Sequence, residues 1–289
     1  SRLDSEREIT DILRQRRTGM LQQLVNNGHV SALGRAASQF TAGSAANEWA
    51  NGCDYYNWLK RLVSEEGLSG LYGRLEELSG RVIGRRGLTV SVTGMRSEAV
   101  DTALAALIAA LPAGAAGPYA MGGLSGEFDG RWQLAGRVVS LEYLWNAVRV
   151  QGGAYGTGMV TRINGFDGCY SYRDPSAART LDIYAKAAEF LRGFAGGGPE
   201  LAGLITGAIS ANEPLLTPRA KGEEADDLFF RGITDELRRA RRSQLLGCTC
   251  ADLAAVADSL EAAMKRAGVC VLAPRAELER CGLEEISSL

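Results

Sequence analysis

Apolar residues recur at helical spacing along most of the chain. Between Ser5 and Val25 they alternate with charged residues every three or four positions, which predicts a long amphipathic helix that ends at Asn27-Gly28. A stripe of apolar positions predicts a second long helix over residues 132–150. Further helices are predicted over residues 30–40, 48–63, 68–83, 97–111, 175–191, 199–209, 225–246 and 249–266.

Four segments instead show strand patterns. Leu88–Val92 and Gly268–Leu272 are short and rich in β-branched residues. Residues 154–163 and 166–172 flank Asn164-Gly165, a dipeptide typical of a type I′ hairpin turn. Because helices outnumber strands, we expect an α+β fold in which a mixed or antiparallel sheet is layered with helices on one side.

Proline, glycine and alanine concentrate between Pro112 and Gly123, which indicates a domain boundary. We therefore predict two domains, residues 1–112 and 113–289. The sequence begins Ser-Arg-Leu and moves directly into helical periodicity, so we expect it to be a piece of a longer protein.

Composition narrows the possible partners. The chain has 289 residues, of which 46% are hydrophobic and 23% charged, and its net charge is -2, as in ordinary soluble globular proteins. We expect no nucleic-acid partner, because the arginines at 238–242 follow Glu236 on a predicted helix and fit a solvated face. No apolar run approaches the roughly 20 residues that span a bilayer, so we expect no membrane association.

Cysteine and histidine usage limits the chemistry. Six scattered cysteines favour free thiols in a reducing compartment, either the cytoplasm or an organelle matrix. The single histidine, His29, cannot complete a zinc-protease motif or a serine triad, and we expect it to cap a helix or to form a core hydrogen bond. The glycine-rich run 152–158 precedes a strand rather than a helix, so it does not fit a phosphate-binding loop. We expect Gly152 and Gly153 to permit close approach of a backbone such as that of a bound peptide.

Several strings together resemble a known family. These are Gly28-His29, Gly52 with Tyr55-Tyr56, Glu142–Gly156 containing Arg-Val-Gln-Gly-Gly-Ala-Tyr-Gly, Ser171–Pro175 (Ser-Tyr-Arg-Asp-Pro), and Thr180-Leu181. In this order they resemble the C-terminal half of presequence proteases, which belong to the pitrilysin and insulin-degrading-enzyme superfamily of zinc metallopeptidases. The resemblance covers nearly the whole chain.

The resemblance implies a clamshell of two halves, each with two similar α+β domains, that encloses unfolded peptides. This chain would comprise the end of the third domain and most or all of the fourth. The inverted His-x-x-Glu-His zinc motif would lie in the N-terminal half, so this chain would bind no metal and would be inactive alone. The family's chamber-facing arginine and tyrosine correspond to Arg149 and Tyr155.

General chemistry supports the same pair. A phenol O–H near a peptide carbonyl under attack by a metal-bound water stabilises the oxyanion that forms, which suits Tyr155. Arg149 carries a rigid fork of donors that can hold substrate carbonyls. The alternative interpretation is structural: Arg149 makes an ion pair at a helix end, and Tyr155 packs in a sheet. We expect Arg173 and Asp174 to form a local ion pair and a helix cap, and Trp145 to lie in the core.

Two other functions stay open at this point. The superfamily also resembles non-proteolytic core proteins of respiratory complexes, so the chain could be a structural subunit. It could also be a peptide-binding module that adds a ligand strand to a sheet edge beside Gly152-Gly153.

Overall fold

The structure is a computed structural model that describes residues 6–64, 68, 70–85, 88–113, 129–162 and 166–283. Its elements are, in chain order, α1 (Glu6–Asn26), α2 (Gly28–Ala37), α3 (Ala42–Asn51), α4 (Cys53–Ser64), α5 (Leu71–Val82), α6 (Glu98–Ala110), α7 (Arg131–Val138), a π-helix (Val139–Val150), β1 (Gly156–Thr161), β2 (Asp167–Tyr172), α8 (Ala177–Ala185), α9 (Ala187–Gly196), α10 (Ala202–Asn212), α11 (Pro218–Phe230), α12 (Asp235–Leu246), α13 (Cys250–Met264) and α14 (Arg275–Arg280).

The chain forms two compact units. The first unit draws on Ser1–Gly19, Asn57–Gly123 and Leu215–Thr234. The second, which we call the hairpin unit, draws on Met20–Tyr56, Leu124–Pro214 and Asp235–Leu289. The predicted domain boundary at residues 112–123 lies mostly outside the described residues, so the division into 1–112 and 113–289 stays a prediction.

The hairpin unit has a continuous apolar core. Helices α9 and α13 pack against each other, and the π-helix packs on β1. Leucines from four helices of this core have no exposed surface: Leu134 in α7, Leu144 in the π-helix, Leu191 in α9 and Leu253 in α13. Each such side chain contributes about 1.5–3 kcal/mol by leaving water. The core therefore fixes the helices that precede and follow the hairpin.

The first unit buries much less. Helices α5, α6 and α11 contain no buried residue. Local capping supports two of them: the Ser97 hydroxyl accepts from Val100 N at the start of α6, and the Thr217 hydroxyl accepts from Ala220 N at the start of α11. Thus local signals that the sequence displays define these helices.

The chain is mostly helical, and the sheet of the described residues is a single antiparallel hairpin. Strands β1 and β2 pair from Gly156 opposite Tyr172 to Thr161 opposite Asp167, which confirms the predicted hairpin. The predicted turn at Asn164-Gly165 lies outside the described residues.

Two predicted strands were wrong. Residues 88–92 and 268–272 are described but form no strand. Leu88, Val90 and Val92 are each between 41% and 52% exposed. A strand needs a partner for its backbone hydrogen bonds, and β-branched composition alone does not provide one. The mixed, layered sheet that we expected is thus replaced, within the described residues, by helices around a hairpin.

The helix predicted over residues 132–150 forms, but its second part is a π-helix. The N–H of Gln151 donates to the carbonyl of Asn146, five residues back, at 2.9 Å. Because these hydrogen bonds span five residues rather than four, the buried face changes register. Val139, Leu144 and Val148 are fully buried, whereas Leu141 and Trp145 are 43% and 44% exposed. The expectation that Trp145 lies in the core was therefore wrong.

Two chain-wide features bear on the environment of the protein. All six cysteines are free thiols. Among the helices that the structure describes, none combines the length and the apolar character that a bilayer-spanning segment requires.

Candidate functional site

Arg149 lies in the last turn of the π-helix and is half-buried. Its guanidinium carbon lies 4.0 Å from the centre of the Trp145 ring. A cation at this distance is attracted by the negative face of the indole. Trp145 therefore holds Arg149 against the helix surface, and the aromatic ring takes the place of the ion pair in the structural alternative.

Gly152 and Gly153 end the helix. Gly153 has φ +81°, its N–H donates to the Arg149 carbonyl at 3.0 Å, and the N–H of Ala154 donates to the Val148 carbonyl at 3.2 Å. This left-handed glycine terminates the helix in the manner of a C-terminal cap. A Cβ on Gly152 would collide with the Val148 carbonyl oxygen. Both glycines thus have a structural reason within the chain itself.

Tyr155 follows directly and is not packed inside the sheet. Its N–H donates to the Tyr172 carbonyl at 3.0 Å, which extends the hairpin by one hydrogen bond before β1 begins. Its side chain is 64% exposed. The ring meets Tyr172 edge to face at 5.6 Å between centres. The backbone of Tyr155 is therefore fixed while its phenol stays accessible.

Arg173 is a residue of this site that we expected to be only structural. Its guanidinium carbon lies 5.6 Å from the ring centre of Tyr155 and 5.2 Å from that of Tyr172. Its φ is +48°, in the left-handed region that side chains other than glycine rarely adopt. The sequence held one signal for this role, the placement of arginine between Tyr172 and Asp-Pro at a strand end.

Asp174 is not the N-cap of the next helix. Helix α8 begins at Ala177, two residues later than we expected, and its N-cap is Ser176. One carboxylate oxygen of Asp174 accepts from Ser176 N at 2.9 Å, which forms a local turn before the helix. Because Pro175 restricts the residue before it to extended conformations, the turn delays the helix.

His29 joins the same aromatic group. Its ring stacks on Tyr170 at 5.4 Å and lies 4.7 Å from Tyr172. Its Nδ1 is buried and takes part in no hydrogen bond among the described residues, contrary to the expected core hydrogen bond. Burial lowers the pKa of this imidazole. His29, Tyr172, Tyr155 and Arg173 thus form one aromatic and cationic row along the hairpin.

Burial favours the neutral form of two groups in β2. It raises the pKa of Asp167 to about 6 and that of Cys169 to about 12. Neither joins a metal-ligand set, since the residues that the structure describes contain no group of three histidine, cysteine, aspartate or glutamate side chains able to hold an ion. The site therefore offers a phenol, two guanidinium groups and exposed rings.

Comparisons with known proteins agree with this geometry. A family described as the PreP C-terminal domain matches residues 124–275, and a second family, described as peptidase-associated, matches residues 1–62. Presequence protease 1, chloroplastic/mitochondrial, of Arabidopsis thaliana is 27% identical over 94% of this chain and 28% of its own length. Protein HypA of Clostridium perfringens is 25% identical over 93% of this chain and 31% of its own length. The mitochondrial presequence protease of Saccharomyces cerevisiae is 24% identical over 80% and 27%, respectively.

The chain belongs to the presequence protease family, as a region that contains its C-terminal domain. It spans less than a third of the length of these relatives. The resemblance stated from the sequence is thereby confirmed.

Proposed function

We propose that this chain is the non-catalytic C-terminal half of a zinc metalloendopeptidase that degrades unfolded peptides in a closed chamber. Family membership and one observation carry the proposal. Tyr155 presents an exposed phenol on a backbone that is fixed on both sides, by the glycine helix end before it and by the hairpin after it.

The role proposed for Tyr155 is oxyanion stabilisation. When water adds to a peptide carbonyl, the carbonyl oxygen gains a full negative charge, and a phenol O–H binds that oxyanion more strongly than the ground-state carbonyl. Arg173 lies over the Tyr155 ring and limits its side-chain motion. A donor that is already oriented loses little conformational freedom when it binds the transition state.

The role proposed for Arg149 is substrate binding. Its guanidinium is half-buried against Trp145 yet keeps donors that can reach peptide carbonyls. Gly152 and Gly153 take part by setting where the helix ends, and so where Arg149 and Tyr155 lie along the chain. We propose that their lack of side chains also leaves room for a substrate backbone.

The zinc of such an enzyme does not fit the residues of this chain. The sequence has one histidine, and the described residues supply no ligand set. We therefore assign the metal to the N-terminal half of the same polypeptide, which becomes the obligatory partner of this chain. The metallopeptidase-like layering of helices on a larger sheet, repeated in two domains, is part of the same proposal.

The test is a Tyr155→Phe substitution in the full-length enzyme. We expect peptide turnover to fall by about ten-fold or more with unchanged zinc content, because the oxyanion loses one donor while the ring contacts stay. Tyr170→Phe on the neighbouring strand is the matched control and should leave turnover unchanged. Equal turnover in the Tyr155→Phe variant and the wild-type enzyme would remove Tyr155 from the mechanism.

Strand addition beside the glycines has less support. The N–H of Gly153 already donates to Arg149, and on β1 the N–H of Met159 donates to the Ser140 hydroxyl at 2.8 Å. Backbone donors at these points are therefore engaged within the chain. As for compartment, two of the relatives carry mitochondrial or chloroplastic names, and six free thiols suit a reducing organelle matrix or cytoplasm.

A further inference from the structure

A groove separate from Tyr155 opens on the hairpin unit, where α7 and the start of the π-helix face β1 and α10. Its volume is about 220 Å³. At roughly 30 Å³ per water molecule, this space holds a small group rather than a nucleotide. The lining residues that the argument uses are Gln133, Arg137, Leu141, Ala208, Ala211 and Asn212.

Arg137 is the charged residue of this groove. Its Nε is buried and has no hydrogen-bond partner, and the described residues provide no acceptor or carboxylate for the rest of its guanidinium. A buried donor without a partner is costly, and a buried cation without one more so. No acidic residue belongs to the described lining of the groove. The charge of Arg137 is thus unbalanced within the part of the chain that the structure describes.

The surrounding backbone makes room for this guanidinium. A Cβ on Gly207 of α10 would collide with Arg137, with its guanidinium carbon only 2.6 Å away. A Cβ on Gly136 would lie 2.8 Å from the Thr161 methyl, so glycine there lets α7 approach β1 closely. Any larger residue at Gly207 would displace Arg137 from its place in the groove.

The polar wall opposite is already fixed. The Asn212 side-chain oxygen accepts from Gln133 Nε2 at 2.7 Å and from an Arg241 guanidinium nitrogen at 2.8 Å, while its nitrogen donates to the Ala208 carbonyl at 2.7 Å. Asn212 therefore has no acceptor left for Arg137. A second guanidinium, that of Arg241, adds positive potential at this edge of the groove.

We propose that this groove binds a single carboxylate group through the guanidinium of Arg137. A guanidinium fork matches the two oxygens and the single charge of a carboxylate. A phosphate group would carry nearly two charges and a third oxygen into a wall that contains Leu141 and Ala211. The carboxylate can belong to the C-terminus of a peptide or to an acidic side chain, and the two sources are separable by experiment.

Isothermal titration of the 289-residue chain tests the site with three acetylated tripeptides: Ala-Ala-Ala with a free C-terminus, its C-terminal amide, and an amidated Ala-Glu-Ala. We expect the free-acid peptide, the glutamate peptide or both to bind at least about ten-fold more tightly than the neutral amide. Preference for the free-acid peptide identifies a C-terminal carboxylate, and preference for the glutamate peptide identifies a side-chain carboxylate.

Variants connect that binding to the groove. Arg137→Gln should weaken it at least about ten-fold, whereas Arg192→Gln should not, because Arg192 is already paired with Asp258 and Glu261. Should Arg137→Gln unfold, as judged by circular dichroism, Ala211→Phe provides an independent test. Ala211 is exposed on α10, so the larger ring fills the groove without disturbing the core, and it should weaken binding similarly.

The outcomes decide the proposal. Carboxylate binding that persists in both Arg137→Gln and Ala211→Phe, binding of inorganic phosphate without carboxylate, or no binding to the wild-type chain would each overturn it. None of these results depends on turnover by the full-length enzyme. The carboxylate site and the proposed role of Tyr155 can therefore fail independently.

Discussion

The two compact units differ in how completely they remove apolar side chains from water. In the hairpin unit, α7, the π-helix, α9 and α13 share a core whose leucines are fully buried. In the first unit, α5, α6 and α11 bury nothing, and Val82 and Met95 are 70% and 93% exposed. Helical periodicity was visible in both. The difference teaches that periodicity predicts a helix, whereas packing decides whether that helix positions a side chain with precision.

The largest expected effect contrasts two leucines. Leu191→Ala in α9 should lower the free energy of unfolding by about 2–5 kcal/mol, because it leaves a cavity among fully buried neighbours. Leu107→Ala in α6 should change it by less than about 1 kcal/mol, since that side chain is 55% exposed and alanine suits a helix. Urea denaturation of the chain measures both. Equal losses would remove the contrast between the units.

The same glycine substitution should have opposite signs in the two units. Gly152→Ala forces a Cβ onto the Val148 carbonyl and should cost about 1–3 kcal/mol. Gly73→Ala in α5 meets no atom within 4 Å and should stabilise the chain by about 0.5–1 kcal/mol, because alanine favours the helix. Thermal and urea unfolding of the two variants check the signs. Stabilisation by Gly152→Ala would mean that the helix end is not held as described.

A smaller, pH-dependent effect should arise in the hairpin. Burial raises the pKa of Asp167 from 3.8 to about 6, so the folded state holds a proton that the unfolded state has lost between these values. The free energy of unfolding should therefore fall as pH rises from about 4 to about 6 and then level off. After allowance for solvent screening the fall is about 1–2 kcal/mol.

Asp167→Asn isolates this effect, because asparagine keeps the shape and cannot titrate. The difference in unfolding free energy between wild type and Asp167→Asn should grow in favour of the variant as pH rises through this window. Parallel pH profiles for the two proteins would show that the carboxyl is not buried in the folded state.

The smallest effect compares two interactions of arginine at the surface. A double-mutant cycle with Arg149→Gln and Trp145→Leu should give a coupling energy of about 0.5–1 kcal/mol that changes little with salt. The cycle with Arg96→Gln and Asp101→Asn in the first unit, an exposed pair at 3.0 Å, should give about 0.2–0.5 kcal/mol and vanish in high salt. Zero coupling between Arg149 and Trp145 would mean that the ring does not hold Arg149.

Local signals were enough for much of the fold and for part of the site. Apolar spacing predicted the long helices, and two alternating segments predicted the hairpin that β1 and β2 form. The same alternation failed at 88–92 and 268–272, where no partner strand pairs with it among the described residues. The family strings singled out Arg149 and Tyr155, but Arg173 was missed because a cation over two rings is a tertiary arrangement.

The sequence by itself determined the family, the helical character and the single histidine that leaves zinc ligation to another part of the protein. Tertiary structure alone decided that the helix before Arg149 continues as a π-helix, that Trp145 faces solvent, and that Arg137 lies in a groove without a partner among the described residues. The physical reason is range. Propensity and periodicity act over a few neighbouring residues, whereas burial and charge pairing depend on residues far apart in the chain.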